Sequence, residues 1–260
     1  MGAFDGTGVL KGRVVIVTGG ARGIGEGMTT ALAKAGASVA FTDIKEDLLK
    51  ETEKKLKDQG LKVMGIIADG CSDEAVKNAV QKTVDTFGSL WMVINNANMY
   101  QDFALIEDTS REKLESMFEA GFYASWRYMM AAFPHFKASG GGRLVNFGSD
   151  AGLWGLPGNL PYAANKEALR AMMRVAAREW GKYQITANTI IPGAATTGML
   201  KYFADNPEHA AKRKKELLFG RFGIPEDDLG ALAVFLCSDG SSFLTGETIK
   251  MNGGVNINAL

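Results

Sequence analysis

The sequence predicts an α/β fold in which a parallel sheet is covered by helices on both faces. Three observations carry this. Short apolar runs alternate with amphipathic stretches of helical period from one end to the other. The runs are apolar at nearly every position rather than at every second one, as strands buried on both faces require. No linker, repeat or low-complexity segment interrupts the alternation over 260 residues, of which 46% are hydrophobic. One domain spanning 1–260 with a large core is therefore expected.

The elements follow in order. Arg13 to Thr18 reads as a buried strand, and Ile24 to Ala35 as a helix stopped by Gly36. Ala37 to Thr42 is a second strand. Lys45 to Gln59 is a helix with Leu48, Leu49, Thr52 and Leu56 on one face, ended by Gly60. Lys62 to Ile67 is a third strand. Ser72 is placed to cap a helix that buries Val76, Val80, Thr83, Val84 and Phe87. Leu90 to Asn95 is a fourth strand and Ser110 to Lys137 a long helix. Arg143 to Phe147, Ile185 to Ile191 and Thr248 to Met251 are the remaining strands. The helices Tyr162 to Gly181 and Pro225 to Cys237 lie between them, the latter with Pro at its start. About 194–220 lacks strand character and is a candidate lid over a site.

Composition narrows the function classes. The 29 basic and 29 acidic side chains cancel, which argues against a nucleic-acid or anionic-membrane partner. No apolar run approaches the roughly 20 residues that span a bilayer, and Met1 to Gly6 does not read as a signal peptide. A soluble cytoplasmic protein is expected. Cys71 and Cys237 show no metal or redox spacing and are expected to be two buried thiols. His135 and His209 lack metal-ligand partners in register, and no metal is expected.

The first strand runs straight into Thr18-Gly19-Gly20-Ala21-Arg22-Gly23-Ile24-Gly25 and then into a helix. Glycines let backbone amides approach a pyrophosphate, and a helix N-terminus adds partial positive charge. The spacing is Gly-x-x-x-Gly-x-Gly. Asp43 ends the second strand, where a carboxylate can accept from an adenosine ribose and repel a 2′-phosphate. Arg22 pulls the other way, because a guanidinium could meet that phosphate. The repulsion at the ribose favours NAD over NADP. A cap on the helix from Lys45 is a second use of Asp43.

Tyr162 and Lys166 are four residues apart, which puts them on one face of a helix. A tyrosine phenol with a pKa of about 10 is a poor base at neutral pH. An ammonium one turn away favours the phenolate and is expected to pull that pKa down. Ser149 follows a strand-like run and could hold a substrate oxygen.

Together these residues resemble the short-chain dehydrogenase/reductase family over nearly the whole chain. Asp69, with Gly70, is similar to the acidic position after the third strand that meets adenine. Asn95-Asn96-Ala97 is similar to the start of the family's Asn-Asn-Ala-Gly signature. Ser149, Tyr162 and Lys166 are similar to its catalytic serine, tyrosine and lysine. Pro192-Gly193 followed by Thr197 is similar to the segment that holds the nicotinamide carboxamide, and Arg221 to Pro225 and Gly246 to Gly254 fit its C-terminal pattern. The resemblance implies a doubly wound Rossmann domain with a seven-stranded sheet. It also implies hydride transfer between a nicotinamide and a secondary alcohol or ketone. Tyr162 would be the acid/base, Lys166 would lower its pKa and bind the nicotinamide ribose, and Ser149 would steady the carbonyl oxygen. The family is commonly tetrameric, which implies a homotetramer, with Trp126, Met129, Met130, Met172, Met173 and Trp180 as candidate contacts. Packing on the protein's own sheet accounts for some of these equally well.

Two positions depart from the family. Asn98 stands where the signature continues with Gly. Gly121 stands 28 residues before Ser149, where the long helix usually carries an asparagine that seats a water behind the lysine. A glycine offers only backbone and favours a kink. A water could fill the room, Asn98 or another polar group could substitute, or the site could be weakened into a cofactor-binding one. The intact Ser149, Tyr162 and Lys166 favour surviving catalysis.

Pocket walls are expected at 99–103, 151–160 and the lid. They supply Tyr100, Phe103, Leu153, Trp154, Leu156, Met199, Tyr202 and Phe203. Tyr100, Ser149, Trp154, Tyr162 and Met199 are the candidate substrate contacts. The set favours an apolar, cyclic or aromatic small molecule. Lys212 to Lys215 could meet an anionic tail or form a solvated helix face.

Overall fold

Seven strands form one parallel sheet: β1 (Val14–Thr18), β2 (Ser38–Asp43), β3 (Val63–Ile67), β4 (Met92–Asn95), β5 (Gly142–Phe147), β6 (Ile185–Pro192) and β7 (Thr248–Met251). Their order is β3-β2-β1-β4-β5-β6-β7. The computed structural model describes residues 8–99, 102–194 and 203–255, apart from the side chains of Lys212, Arg213 and Glu216.

Successive strand residues point to opposite faces, and both faces are buried. Val15 and Val17 of β1 join one core with Val39 and Phe41 of β2, Met28 and Leu32 of α1 (Gly23–Lys34), and Leu49 and Leu56 of α2 (Glu46–Lys57). Ile16, Ala40 and Val93 face the other way. They meet Val76 and Val80 of α3 (Asp73–Phe87), with Tyr128, Met129 and Phe136 of a later helix. Ser72 caps α3 by accepting from the Ala75 N–H at 3.2 Å. The chain winds outward through β1, β2 and β3 and then crosses back to β4. The loops after β1 and β4 therefore diverge, and the crevice between them is where such sheets take ligands.

The expected long helix is three pieces. α4 (Arg111–Phe118) and α5 (Ala124–Ala138) are joined by a π turn over Glu119–Tyr123, in which the Ala124 N–H reaches back to the Glu119 carbonyl. Gly121 lies buried within that turn. The Ser149-to-Tyr162 segment carries an unforeseen short helix, α6 (Asp150–Trp154), before α7 (Leu160–Trp180). The stretch expected to lack regular structure likewise holds a helix, Pro207–Glu216.

The helix from Pro225 opens as a π turn, Pro225–Gly230, before its regular part Ala231–Cys237. It packs closely on α1 through glycines: a Cβ on Gly27 would stand 2.5 Å from Pro225 Cβ, and one on Gly230 2.5 Å from Ala31 Cβ. Cys237 is buried as expected, but Cys71 is exposed, because it lies in the loop after β3 rather than in an element with a core face. Met129 and Met173 belong to the core, Met172 and Trp180 pack partly against it, and Trp126 and Met130 are 46% and 45% exposed. No described helix is long and apolar enough to cross a membrane.

Candidate active site

The glycine loop is held by its own neighbours. Gly19 and Gly23 have φ of 61° and 57°, values that favour glycine. The Thr18 hydroxyl accepts from the Asn96 and Ala97 N–H groups, each at 3.0 Å. The Asn96 side-chain amide donates to the Thr18 and Gly19 carbonyls at 2.9 and 3.1 Å. Asn96 thus spends its amide hydrogens on the loop. Gly25 is buried with Asn96 Nδ2 2.7 Å from where a Cβ would stand, so the start of α1 can come up against the loop. Arg22, at the N-cap, makes no side-chain cap, and it leaves the first amides of α1, including that of Ile24, to a ligand. This arrangement fits a nucleotide diphosphate.

Asp43 is half-buried at the end of β2, and its Oδ1 accepts from the Lys45 N–H at 3.1 Å, which orients the entry into α2. α2 itself has Lys45 at its N-cap and no side-chain cap, so Asp43 shapes the turn before the helix rather than capping it, and this leaves the second carboxylate oxygen for a ribose. Asp69 is exposed and accepts from the Cys71 N–H at 2.9 Å. The Gly70 carbonyl accepts from Arg127, whose guanidinium also pairs with Asp73 and with Glu119 at 2.6 Å. These contacts tie the loop after β3 to α5. At the far side of the crevice, Pro192 ends β6, and Gly193 lies between the Met251 carbonyl and the Gly223 N–H. A Cβ on Gly193 would stand 2.8 Å from the Asn252 carbonyl. Asn252 in turn donates to Asp150 at 3.3 Å. Thr197, Tyr100, Met199 and Tyr202 lie outside the described residues.

Ser149, Tyr162 and Lys166 come together at the ends of β5 and α7. Ser149 is the N-cap of α6 and accepts from the Ala151 N–H at 3.1 Å. Its hydroxyl lies near enough to the Tyr162 phenol to favour the phenolate. Lys166 is buried, donates to the Phe147 carbonyl at 3.0 Å, and sits 5.4 Å from the Tyr162 ring centroid. Burial raises the Tyr162 pKa above its ordinary value, and the Ser149 hydroxyl only partly offsets this. Burial alone pushes Lys166 down to about 8. This corrects the expectation that the lysine draws the phenol down. Each group is instead driven toward its neutral form, because desolvation outweighs a charge that is not in hydrogen-bond contact. A neutral tyrosine beside a lysine that titrates near neutrality can still pass a proton to or from an oxygen held by Ser149.

The room beside Gly121 is taken by protein. A Cβ there would stand 2.5 Å from Asn165 Oδ1 and 2.6 Å from its Cγ, with Nδ2 closer still. Asn165, on α7 between Tyr162 and Lys166, is fully buried against the π turn. Asn98 is exposed and accepts from its neighbour Met99 at 3.0 Å, so it does not reach this place. The sequence does hold a signal for Asn165: its place inside the Tyr-x-x-x-Lys stretch. Its pairing with Gly121, 44 residues earlier, becomes visible only when two helices meet.

Of the residues expected as pocket walls, those described are apolar and largely open. Phe103, Trp154 and Leu156 are 59%, 55% and 45% exposed, and Leu153 is half-buried. Ala104 bridges to Asn159, and its N–H donates to the Gly158 carbonyl at 2.9 Å, so the loops after β4 and β5 form one rim. Phe203 stacks on Phe222, with ring centroids 5.3 Å apart. His209 is exposed and His135 half-buried, and no cluster among the described residues could hold a metal.

The family model described as Enoyl-(Acyl carrier protein) reductase matches residues 19–256. The chain is 36% identical over 255 residues to the 12alpha-hydroxysteroid dehydrogenase of Clostridium sp., covering 95% of this chain and 98% of that protein. It is 32% identical to Dehydrogenase/reductase SDR family member 4 of Caenorhabditis elegans, covering 95% and 96%. The crystal structure of a gluconate 5-dehydrogenase from Burkholderia cenocepacia, in complex with NADP and tartrate, superposes with a TM-score of 0.88 at 26% identity, covering 98% of this chain and 99% of that one. With the sheet order, the glycine loop and the Ser149–Tyr162–Lys166 cluster, these matches make the chain a member of the short-chain dehydrogenase/reductase family of NAD(P)-dependent oxidoreductases.

Proposed function

We propose that the chain is an NAD-dependent dehydrogenase that interconverts a secondary alcohol and a ketone on an apolar, cyclic small molecule. The convergence of the Ser149 hydroxyl, the Tyr162 phenol and the buried Lys166 at one place carries this reading. When bound, the nicotinamide supplies or accepts the hydride. The residues do the rest. Ser149 and Tyr162 hold the substrate oxygen, and Tyr162 protonates it in reduction or deprotonates it in oxidation. Lys166, fixed by Phe147, offers charge beside the phenol and donors to the nicotinamide ribose. The loop Gly19 to Gly25 takes the diphosphate. Asp43 takes the adenosine ribose, with Asp69 and Gly70 beside the adenine. Asn96 and Ala97 support the loop, and Pro192, Gly193 and Thr197 hold the carboxamide.

The free oxygen of Asp43 favours NAD, although the gluconate 5-dehydrogenase neighbour binds NADP. The exposed aromatic rim suits a hydrocarbon ring system, as does the likeness to a hydroxysteroid dehydrogenase. In this reading 1–260 is one catalytic domain with 194–220 as its lid, and it works as a cytoplasmic homotetramer.

NADH absorbance with a panel of hydroxysteroids, other secondary alcohols and their ketones tests the proposal. Turnover is expected with at least one polycyclic alcohol, and Tyr162→Phe should lower kcat by about 10²- to 10⁴-fold while NADH still binds. Tight NADH binding without turnover on any panel member would point instead to a cofactor-binding protein with a weakened site.

A further inference from the structure

Asn165 is fully buried, yet neither its amide nitrogen nor its amide oxygen has a hydrogen-bond partner among the described residues. Its side chain fills the space over Gly121, in a π turn, a distortion common at functional sites. Two more buried amide atoms are without partners on neighbouring strands. They are Asn95 Oδ1 and Asn146 Nδ2, although these two asparagines bond to each other at 2.8 Å across β4 and β5. Asn146 precedes Phe147, whose carbonyl receives Lys166, and Asn165 precedes Lys166 itself. A lysine has three N–H donors, and one of these three goes to Phe147. Buried polar groups without protein partners are costly and are met by internal water, which needs two to four polar contacts. Asn165 alone brings one oxygen and one nitrogen of that kind.

We propose that Asn165 is a positioning residue for the Tyr162–Lys166 pair: seated on Gly121, its amide holds water that solvates the Lys166 ammonium from behind. The asparagine that the long helix of related chains would supply is here supplied by the helix that carries the tyrosine and lysine. Gly121 is then the partner that makes room for it, since any side chain at 121 would occupy the same space. The inference rests on the acid/base reading of Tyr162 and Lys166 given above. The groups acting on the pair are few. Burial alone shifts Lys166, and burial and Ser149 alone shift Tyr162. No charged side chain of α4, the π turn, β5, β6 or α6 contributes to either shift.

The test is read on the protein without cofactor or substrate, so its result does not depend on finding a substrate. The Lys166 side chain is titrated by ¹³Cε NMR, assigned against Lys166→Met, in the native chain and in Asn165→Leu, Asn165→Ser and the exchange variant Gly121→Asn/Asn165→Ala. Loss of the solvating group favours the neutral amine. Asn165→Leu should therefore lower the Lys166 midpoint by about one pH unit. Asn165→Ser and the exchange variant should restore most of the native value. Gly121→Asn alone should fail to fold normally, because Asn165 is in the way. If Asn165→Leu does not fold, Gly121→Ala, which crowds the amide with one methyl group, should shift the midpoint in the same direction. An unchanged Lys166 midpoint in every folded variant, with only Tm altered, would overturn the proposal and leave Asn165 a packing residue. Absent turnover with an intact Lys166 shift would sink the dehydrogenase reading alone.

Discussion

The glycine loop and the ground behind Lys166 treat buried polar groups in opposite ways. Around the loop, Thr18 and Asn96 form four hydrogen bonds with backbone groups and close the structure on itself. Behind Lys166, four amide atoms of Asn95, Asn146 and Asn165 lack a partner among the described residues. The first region is a rigid cradle that needs only a ligand. The second keeps polar atoms under burial, next in the chain to a lysine that burial drives toward its neutral form. A satisfied network fixes geometry, whereas an unsatisfied one sets an electrostatic condition.

Three measurements sharpen this contrast. The largest effect should come from Lys166. Its folded pKa is lowered to about 8 from 10.5, so between those values the unfolded chain binds more protons. The stability of the native chain relative to Lys166→Met should therefore rise as pH increases from 8 to 10.5, by at most about 3 kcal/mol. Tyr162, whose folded pKa is raised, contributes with the opposite sign only as pH passes its unfolded value of about 10. Urea unfolding at a series of pH values reads the difference, which water held by Asn165 would reduce but not abolish, and a flat difference would mean that burial does not lower the Lys166 pKa.

A smaller loss is expected at the cradle. Thr18→Val keeps the shape but leaves the Asn96 and Ala97 amides without their acceptor. Stability should fall by about 2 kcal/mol, and the NADH Kd should rise with it. An unchanged Kd would show that the loop does not depend on this clamp. The smallest effect should be at Asp43. Asp43→Asn removes the repulsion toward a 2′-phosphate and should improve kcat/KM with NADP about tenfold relative to NAD. No change in that ratio would leave helix entry as the only role of Asp43.

The sequence carried the fold and the outline of the site well. The seven expected strands became seven parallel strands, with boundaries moved by at most two residues, because the central runs are short, apolar on both faces and bounded by turn residues. Ser149, Tyr162 and Lys166 could be picked out because a helix fixes the offset between tyrosine and lysine. Less legible were α6, the helix Pro207–Glu216 and the π turns, all of which depend on packing rather than on period. The exposure of Cys71 was missed for the same reason.

The sequence by itself therefore determined the strand and helix order, the glycine loop and the triad, since each rests on local spacing along one chain segment. The tertiary structure alone decided which way the Tyr162 and Lys166 pKa values move, because burial, not sequence distance, sets the desolvation. It also decided what stands beside Gly121. The missing side chain of one helix is met by Asn165 of another, a relation between 121 and 165 that exists only once α7 lies against the π turn.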